Sequence, residues 1–281
     1  PNELPYLDVT NLFSEGGLPV SKIYEVDGNL GIVIHEDFGD KILRDVLETS
    51  DQRTREDLID QSIKLIVKIQ SITELSFNKN SIASKLKFDE EKLLWELNFF
   101  KTHYFEGLKQ QKLPEDLNKK LVEEFVELSN ELENYARVLT HRDFHAANLM
   151  VDRNNNLRII DHQDARLGSV AYDLVSLLLD RVLQIPEKEW LNEKKNLFLV
   201  EREKLGLEKI EFEKFNYEFH LMTIQRCLKA IGTFSNQTAN LGKTGYSKFI
   251  KPMFLIVLET AEKLQRFPNL QNSIKIQIKN L

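Results

Sequence analysis

The chain has 281 residues, 42% hydrophobic and 29% charged along its whole length, a balance that excludes wholesale disorder. A formal charge of -6, from 44 acidic and 38 basic residues, removes the usual electrostatic motive for binding nucleic acid; the single cysteine, Cys227, excludes an intrachain disulfide and a cysteine-based metal cluster. No apolar run approaches the ~20 residues of a membrane span and no signal peptide is visible, so the expected compartment is the cytoplasm.

Residues 5–15 place Tyr6, Leu7, Val9, Leu12 and Phe13 at helical spacing, and Gly16 and Gly17 stop that helix. Residues 23–26 and 32–34 read as two short strands around a turn at 27–29, a segment too small to have its own core. Helical periodicity then dominates. Residues 53–72 put Leu58, Ile59, Ile63, Ile66, Val67 and Ile69 on one face; residues 89–107 and 114–135 form two further amphipathic helices, the second with Pro114 in its first turn. The aromatic residues Trp95, Phe99, Phe100, Tyr104 and Phe105 read as core rather than as a ligand platform.

At Val138 the pattern changes. Val138 and Leu139 lead into a polar cluster from His141 to His145, and residues 149–151 and 157–160 flank Asn154 to Asn156 as a short hairpin. Helices resume over 174–183, 187–203, 212–234 and 246–265, with no internal repeat and no low-complexity linker.

The chemistry lies in HRDFHAANLMV, from His141 to Val151, followed by LRIIDHQDA, from Leu157 to Ala165. An Asp followed five positions later by an Asn, on a loop entering a strand, matches a phosphoryl-transfer catalytic loop. Asp143 is placed to accept a hydrogen bond from an attacking hydroxyl, and Asn148 offers an amide oxygen to Mg2+. Asp161, ending the second strand of the hairpin, offers the second metal ligand, with phosphate and water completing the shell. A capping loop would account for these residues singly but not for their joint spacing. A zinc set of His141, Asp143, His145 and His162 leaves Asn148 and Asp161 unexplained, and a glycosidase pair of Asp143 with Asp161 or Asp164 rests on common residues. His141 is expected to hold the loop through backbone hydrogen bonds; His145 is either a loop brace or a substrate contact. Asp173 is either a helix cap or a brace accepting catalytic-loop N–H groups. Arg166 is expected as a surface or loop ion-pair partner, with phosphate contact as the alternative.

The pattern HRDFHAANLMV…LRIIDHQDARLGSVAYDLVSLLLD resembles the aminoglycoside-phosphotransferase-like kinase superfamily. GLPVSKIYEVD at 17–27, HEDFGD at 35–40 and QRCLKAIG at 225–232 resemble its bacterial anomeric kinases of N-acetylmuramate and N-acetylglucosamine. The resemblance implies an α+β, protein-kinase-like fold: a partial nucleotide-binding N-lobe and hinge at 1–38, and a mostly helical C-lobe at 39–281. It implies ATP and Mg2+, with Asp143 catalytic, Asn148 and Asp161 as metal ligands, and His35, Glu36, Asp37 and Phe38 as the hinge whose backbone reads adenine. Asp164 matches a second acid of the family loop whose role stays open. The implied reaction moves a phosphate from ATP to the anomeric hydroxyl of an amino sugar in cell-wall recycling, with no obligate protein partner. Another small alcohol (choline, homoserine or an aminoglycoside) and an inactive binding module are the alternatives. The chain departs from the family by lacking an early Gly-rich phosphate loop and its lysine, since Lys22 lies on the turn side of Ile23. Pro1 is therefore expected to mark where this sequence starts rather than where the encoded protein does.

Overall fold

The computed structural model describes residues 4–280. In chain order, α1 (Pro5–Glu15) precedes a hairpin of β1 (Ile23–Asp27) and β2 (Ile32–His35); α2 (Leu43–Thr49), α3 (Gln52–Ser71), α4 (Thr73–Asn78) and α5 (Ile82–Lys85) follow. Next come α6 (Glu90–Lys101), a π-helical stretch (Thr102–Leu108) and α7 (Glu115–Glu133). Four short strands succeed them: β3 (Val138–Thr140), β4 (Leu149–Val151), β5 (Leu157–Ile159) and β6 (Arg166–Gly168). The remainder is helical: α8 (Tyr172–Leu179), α9 (Lys188–Lys204), α10 (Phe212–Ala239), α11 (Ile250–Leu264) and α12 (Pro268–Lys279). The fold is thus the expected mostly helical α+β arrangement, its strands confined to small two-stranded sheets.

The chain divides into two compact units. The first comprises the chain up to Lys87, Val138–Leu177 and Glu193–Lys209. Its core draws on Val9, Phe13, Leu43, Ile63, Ile66, Leu139, Leu149 and Ile159, all fully buried. The helix starts are written locally: the Asp51 carboxylate accepts the Thr54 N–H at 2.9 Å and so caps α3. The β1–β2 hairpin follows its expected course, with the Asp27 carboxylate accepting the N–H groups of Asn29 and Leu30 in the turn. Its apolar residues Tyr24, Val26, Ile32 and Ile34 are nevertheless exposed.

The second unit comprises Phe88–Arg137, Leu178–Asn192 and Ile210–Leu281, and is built from α6, α7, α10, α11 and α12. Phe100, Phe125 and Phe254 meet edge-on in its core. The aromatic run divides: Phe100, Tyr104 and Phe105 are buried, whereas Trp95 is 54% exposed beneath the Lys92 ammonium. The helix expected over 89–107 widens to a π turn at Thr102. That wider turn lets the successive rings of Tyr104 and Phe105 both face the core, which α-helical spacing does not favour. The short elements α4, α5 and β6 were not read from the sequence, nor was α12, whose first turn is held by the Glu124 carboxylate accepting the N–H groups of Asn269 and Leu270.

Candidate active site

Two nested antiparallel ladders in the first unit build the site. The outer one pairs β3 with β6, Thr140 opposite Arg166. The inner one pairs β4 with β5, Leu149 opposite Ile159. The loop leaving β3 and the loop entering β6 therefore lie side by side, and each carries one half of the polar cluster.

Asn148 joins them. Its side-chain amide donates at 3.0 Å both to the Asp143 carbonyl and to the Asp161 carboxylate. The backbone seals the same junction, with Ile160 N–H donating to Asn148 O at 3.2 Å and His145 N–H to Asp143 O at 3.0 Å. Gln163 donates to the other Asp161 oxygen at 2.8 Å. Two non-glycine residues adopt left-handed conformations here, Arg142 at φ 85° and Asp161 at φ 61°; such conformations persist only where surrounding bonds over-determine them.

Those bonds are visible. The Asp173 carboxylate, on the first turn of α8 and fully buried, accepts the N–H groups of His141 at 2.7 Å and Arg142 at 3.1 Å. The buried His141 ring meets Ile160 O through Nε2 at 2.9 Å, tying one loop to the other, and desolvation lowers its pKa. His145 is buried within the same loop. Asp164 lies between two arginines: Arg142 Nη1 is 2.6 Å from one carboxylate oxygen, and Arg166 Nη2 is 3.4 Å from the other. Arg166 is only 8% exposed, so it is a buried strand residue in β6 rather than the expected surface or loop one.

His162 turns away from its neighbour Asp161 and packs against Tyr6 and Phe13 of α1. Its Nε2 lies 2.7 Å from Thr10 Oγ1, whose one proton goes to Tyr6 O, so the ring nitrogen is the donor. Burial pushes the His162 pKa down to about 3. His162 is thereby occupied elsewhere, and among the described residues no three His, Cys, Asp or Glu side chains form a metal-holding group. Asn148 and Asp161, joined through the Asn148 amide N–H, each carry a hard oxygen atom of the kind that suits Mg2+ when phosphate and water complete the shell.

The segment expected as the hinge runs along the β4–β5 hairpin. Val151 N–H donates to Lys41 O at 2.9 Å. Arg158 of β5 lies over the Phe38 ring, 5.0 Å from its centroid, and bonds Asp152 at 2.8 Å. Glu36 N–H donates to Lys22 O at 2.8 Å, and Glu36 O meets the His35 ring at 3.0 Å. Asp37 accepts the Gly39 N–H at 2.9 Å. Arg158, Gln163 and the Arg142–Asp164 pair were not anticipated; Arg158 alone carried a signal, a polar residue at an alternating strand position.

A family model described as "Phosphotransferase enzyme family" matches residues 4–205. An N-acetylmuramate/N-acetylglucosamine kinase of Neisseria meningitidis is 29% identical over 265 residues, covering 92% of this chain and 75% of that protein. A protein of the same name from Pseudomonas aeruginosa is 28% identical over 263 residues, covering 92% and 72%. Among solved structures, a choline kinase from Cryptosporidium parvum superposes with TM-score 0.59 at 14% identity, covering 94% of this chain and 79% of that one. An ADP-bound aminoglycoside phosphotransferase superposes with TM-score 0.54 at 15% identity, covering 90% and 82%. At these identities the superpositions speak for the fold.

Proposed function

The chain belongs to the phosphotransferase enzyme family, and from that premise we propose that it uses Mg-ATP to phosphorylate the anomeric hydroxyl of an amino sugar, N-acetylmuramate or N-acetylglucosamine. The observation that carries the chemistry is the Asn148 amide, which ties the Asp143 backbone to the Asp161 carboxylate. The names of the two bacterial relatives, each matched over 92% of this chain, support the substrate class.

In this reading Asp143 accepts the hydrogen bond of the acceptor hydroxyl, orients its lone pair and takes its proton as the phosphoryl group arrives. Asn148 and Asp161 would hold Mg2+, which neutralises charge on the phosphates. Asp173 fixes the loop bearing Asp143 through the His141 and Arg142 N–H groups. The backbone between His35 and Phe38 receives the adenine. No helix of the described residues is long and apolar enough to cross a membrane; the reading places the enzyme in the cytoplasm, where ATP is available.

The test is ATP-dependent turnover of the full-length protein on both amino sugars, with choline, homoserine and an aminoglycoside as competing acceptors. Phosphorus NMR of the product identifies an anomeric phosphate. Asp143→Asn should lower kcat by about 10²–10⁴ while nucleotide binding persists. Turnover near wild type in that variant would remove the role given to Asp143, and a preference for choline or an aminoglycoside would remove the sugar assignment.

A further inference from the structure

Arg158 joins two distant segments of the first unit. Its guanidinium carbon lies 5.0 Å from the centroid of the Phe38 ring, a residue only 6% exposed. Its Nε donates to the Asp152 carboxylate at 2.8 Å. Asp152 is itself fixed by the hairpin turn, where it accepts the N–H groups of Asn154 at 2.8 Å and Asn156 at 2.9 Å. The third contact is weaker. Arg158 Nη2 stands 4.0 Å from a Glu36 oxygen, between side chains 25% and 33% exposed, where solvent screens most of the attraction. A cation over a desolvated ring is held more firmly. Arg158 therefore hangs from Asp152 and bears on Phe38.

The β4–β5 hairpin is bordered on both edges by the chain that carries Phe38. Ile159 N–H donates to Pro19 O at 2.9 Å, and Val151 N–H to Lys41 O at 2.9 Å, with Ile42 bridging to Met150. The chain leaves the β5 edge at Pro19, passes through β1 and β2, and returns to the β4 edge at Lys41. Residues 36–38 lie on that return. Glu36 N–H donates to Lys22 O, but among the described residues no backbone hydrogen bond holds Asp37 or Phe38. Side-chain contact, rather than backbone pairing, thus sets where Phe38 sits, and its backbone groups stay available to a ligand.

We infer that Arg158 is a positioning residue for the nucleotide: held by Asp152, it seats Phe38 and so fixes the backbone of residues 36–38 against the hairpin. The strand that bears Arg158 leads directly into Asp161, and its partner strand follows directly on Asn148. One hairpin then places both the segment that receives the base and the residues that would hold the phosphate-bound metal. Pre-ordering that segment raises nucleotide affinity, because less freedom is lost on binding. The nucleotide part of this inference rests on the function proposed above; the seating of Phe38 does not.

Full-length Arg158→Met and Arg158→Lys test it, with Arg153→Met as the control that removes a positive charge from the neighbouring exposed turn. In titration calorimetry with Mg-ADP, Arg158→Met should bind about tenfold more weakly and Arg153→Met within about twofold of wild type. Arg158→Lys should fall between them, since it keeps the charge but not the planar face. KM for ATP should rise with the ADP dissociation constant, while kcat at saturating ATP stays within about twofold. Unchanged ADP affinity in Arg158→Met, or equal weakening in Arg153→Met, would overturn the proposal. Amide hydrogen exchange of the unliganded protein decides the seating independently. Faster exchange at Glu36 and Gly39 in Arg158→Met, with Val151 unchanged, supports it, and unchanged exchange at Glu36 and Gly39 sinks it. A wild type that binds no ADP would remove the proposed function and the nucleotide part of this inference together, leaving the seating to the exchange result.

Discussion

Asp173 and His141 are 32 positions apart, yet the Asp173 carboxylate accepts the His141 backbone N–H at 2.7 Å with no exposure to solvent. A second bond, from Arg142 N–H at 3.1 Å, makes one buried carboxylate the anchor of a loop whose next residue is Asp143. Removing it leaves buried donors unsatisfied, a cost of about 1–3 kcal/mol for each neutral group. Asp173→Ala should therefore lower unfolding free energy by about 3 kcal/mol in urea titration, and Asp173→Asn, which keeps one acceptor, by less. Equal midpoints for wild type and Asp173→Ala would show that the loop is held by other means.

Gln70 supports the same region from α3. Its side-chain amide donates to Val170 O at 2.9 Å, and its amide oxygen accepts from Arg202 of α9. Its backbone oxygen accepts the Thr73 hydroxyl, which in turn accepts the Leu139 N–H at 2.9 Å. Gln70 thus touches the segment before α8 directly and reaches β3 through the Thr73 hydroxyl. Gln70→Leu, similar in volume, removes the two side-chain bonds and keeps the backbone acceptor; it should destabilise by about 2 kcal/mol and accelerate amide hydrogen exchange at His141 and Arg142, whose acceptor Asp173 follows the Val170 segment. Unchanged exchange at those amides would confine Gln70 to a local packing role.

Gly232 of α10 sits where two helices of the second unit cross. A Cβ there would lie 2.7 Å from Phe100 Cα and 2.9 Å from Phe100 N, and backbone atoms cannot yield as a side-chain tip can. Alanine would otherwise add about 1 kcal/mol to a helix interior. The clash outweighs that gain, so Gly232→Ala should destabilise by about 1–3 kcal/mol in thermal or urea unfolding. A stabilised variant would mean that α6 and α10 can separate at little cost.

Acid should weaken the first unit in two windows. Burial holds the His162 pKa at about 3, below its ordinary 6.5, so the unfolded chain takes up the proton first. The stability from neutral His162 is complete above pH 6.5 and is lost as pH falls toward 3, by up to about 1.4 kcal/mol per pH unit. Asp152 is lowered from 3.8 to about 2, chiefly by the Asn156 N–H, with Arg158 and the Asn154 N–H adding to it against desolvation. Its contribution is complete above pH 3.8 and lost as pH falls toward 2. His162→Phe should flatten the upper window and Asp152→Asn the lower one in pH-dependent urea titrations. A wild-type slope surviving in both variants would assign the acid sensitivity to other groups.

Much of the candidate site was legible because its signal is spacing. Asp143, Asn148 and Asp161 sit at the ends of short strands whose apolar alternation brackets them, and the β4–β5 hairpin follows its expected course. Long amphipathic helices such as α3 and α7 were equally readable, since their periodicity reports one buried face. The terminal helix α12 was not: its sequence is mostly polar, and its start depends on Glu124 reaching across from α7. Nor was β6, a strand of only three residues defined by its partner β3.

The sequence by itself determined which residues carry oxygen atoms suited to a metal and a hydroxyl, and at what intervals along the chain, because local strand and turn preferences set those intervals. Only the tertiary structure decided their partners. Whether Asp173 caps a helix or grips a loop, and whether His162 faces a metal or Thr10, depend on contacts between distant segments. Such contacts form only where packing excludes water and makes each unsatisfied polar group costly, a condition that no single stretch of chain encodes.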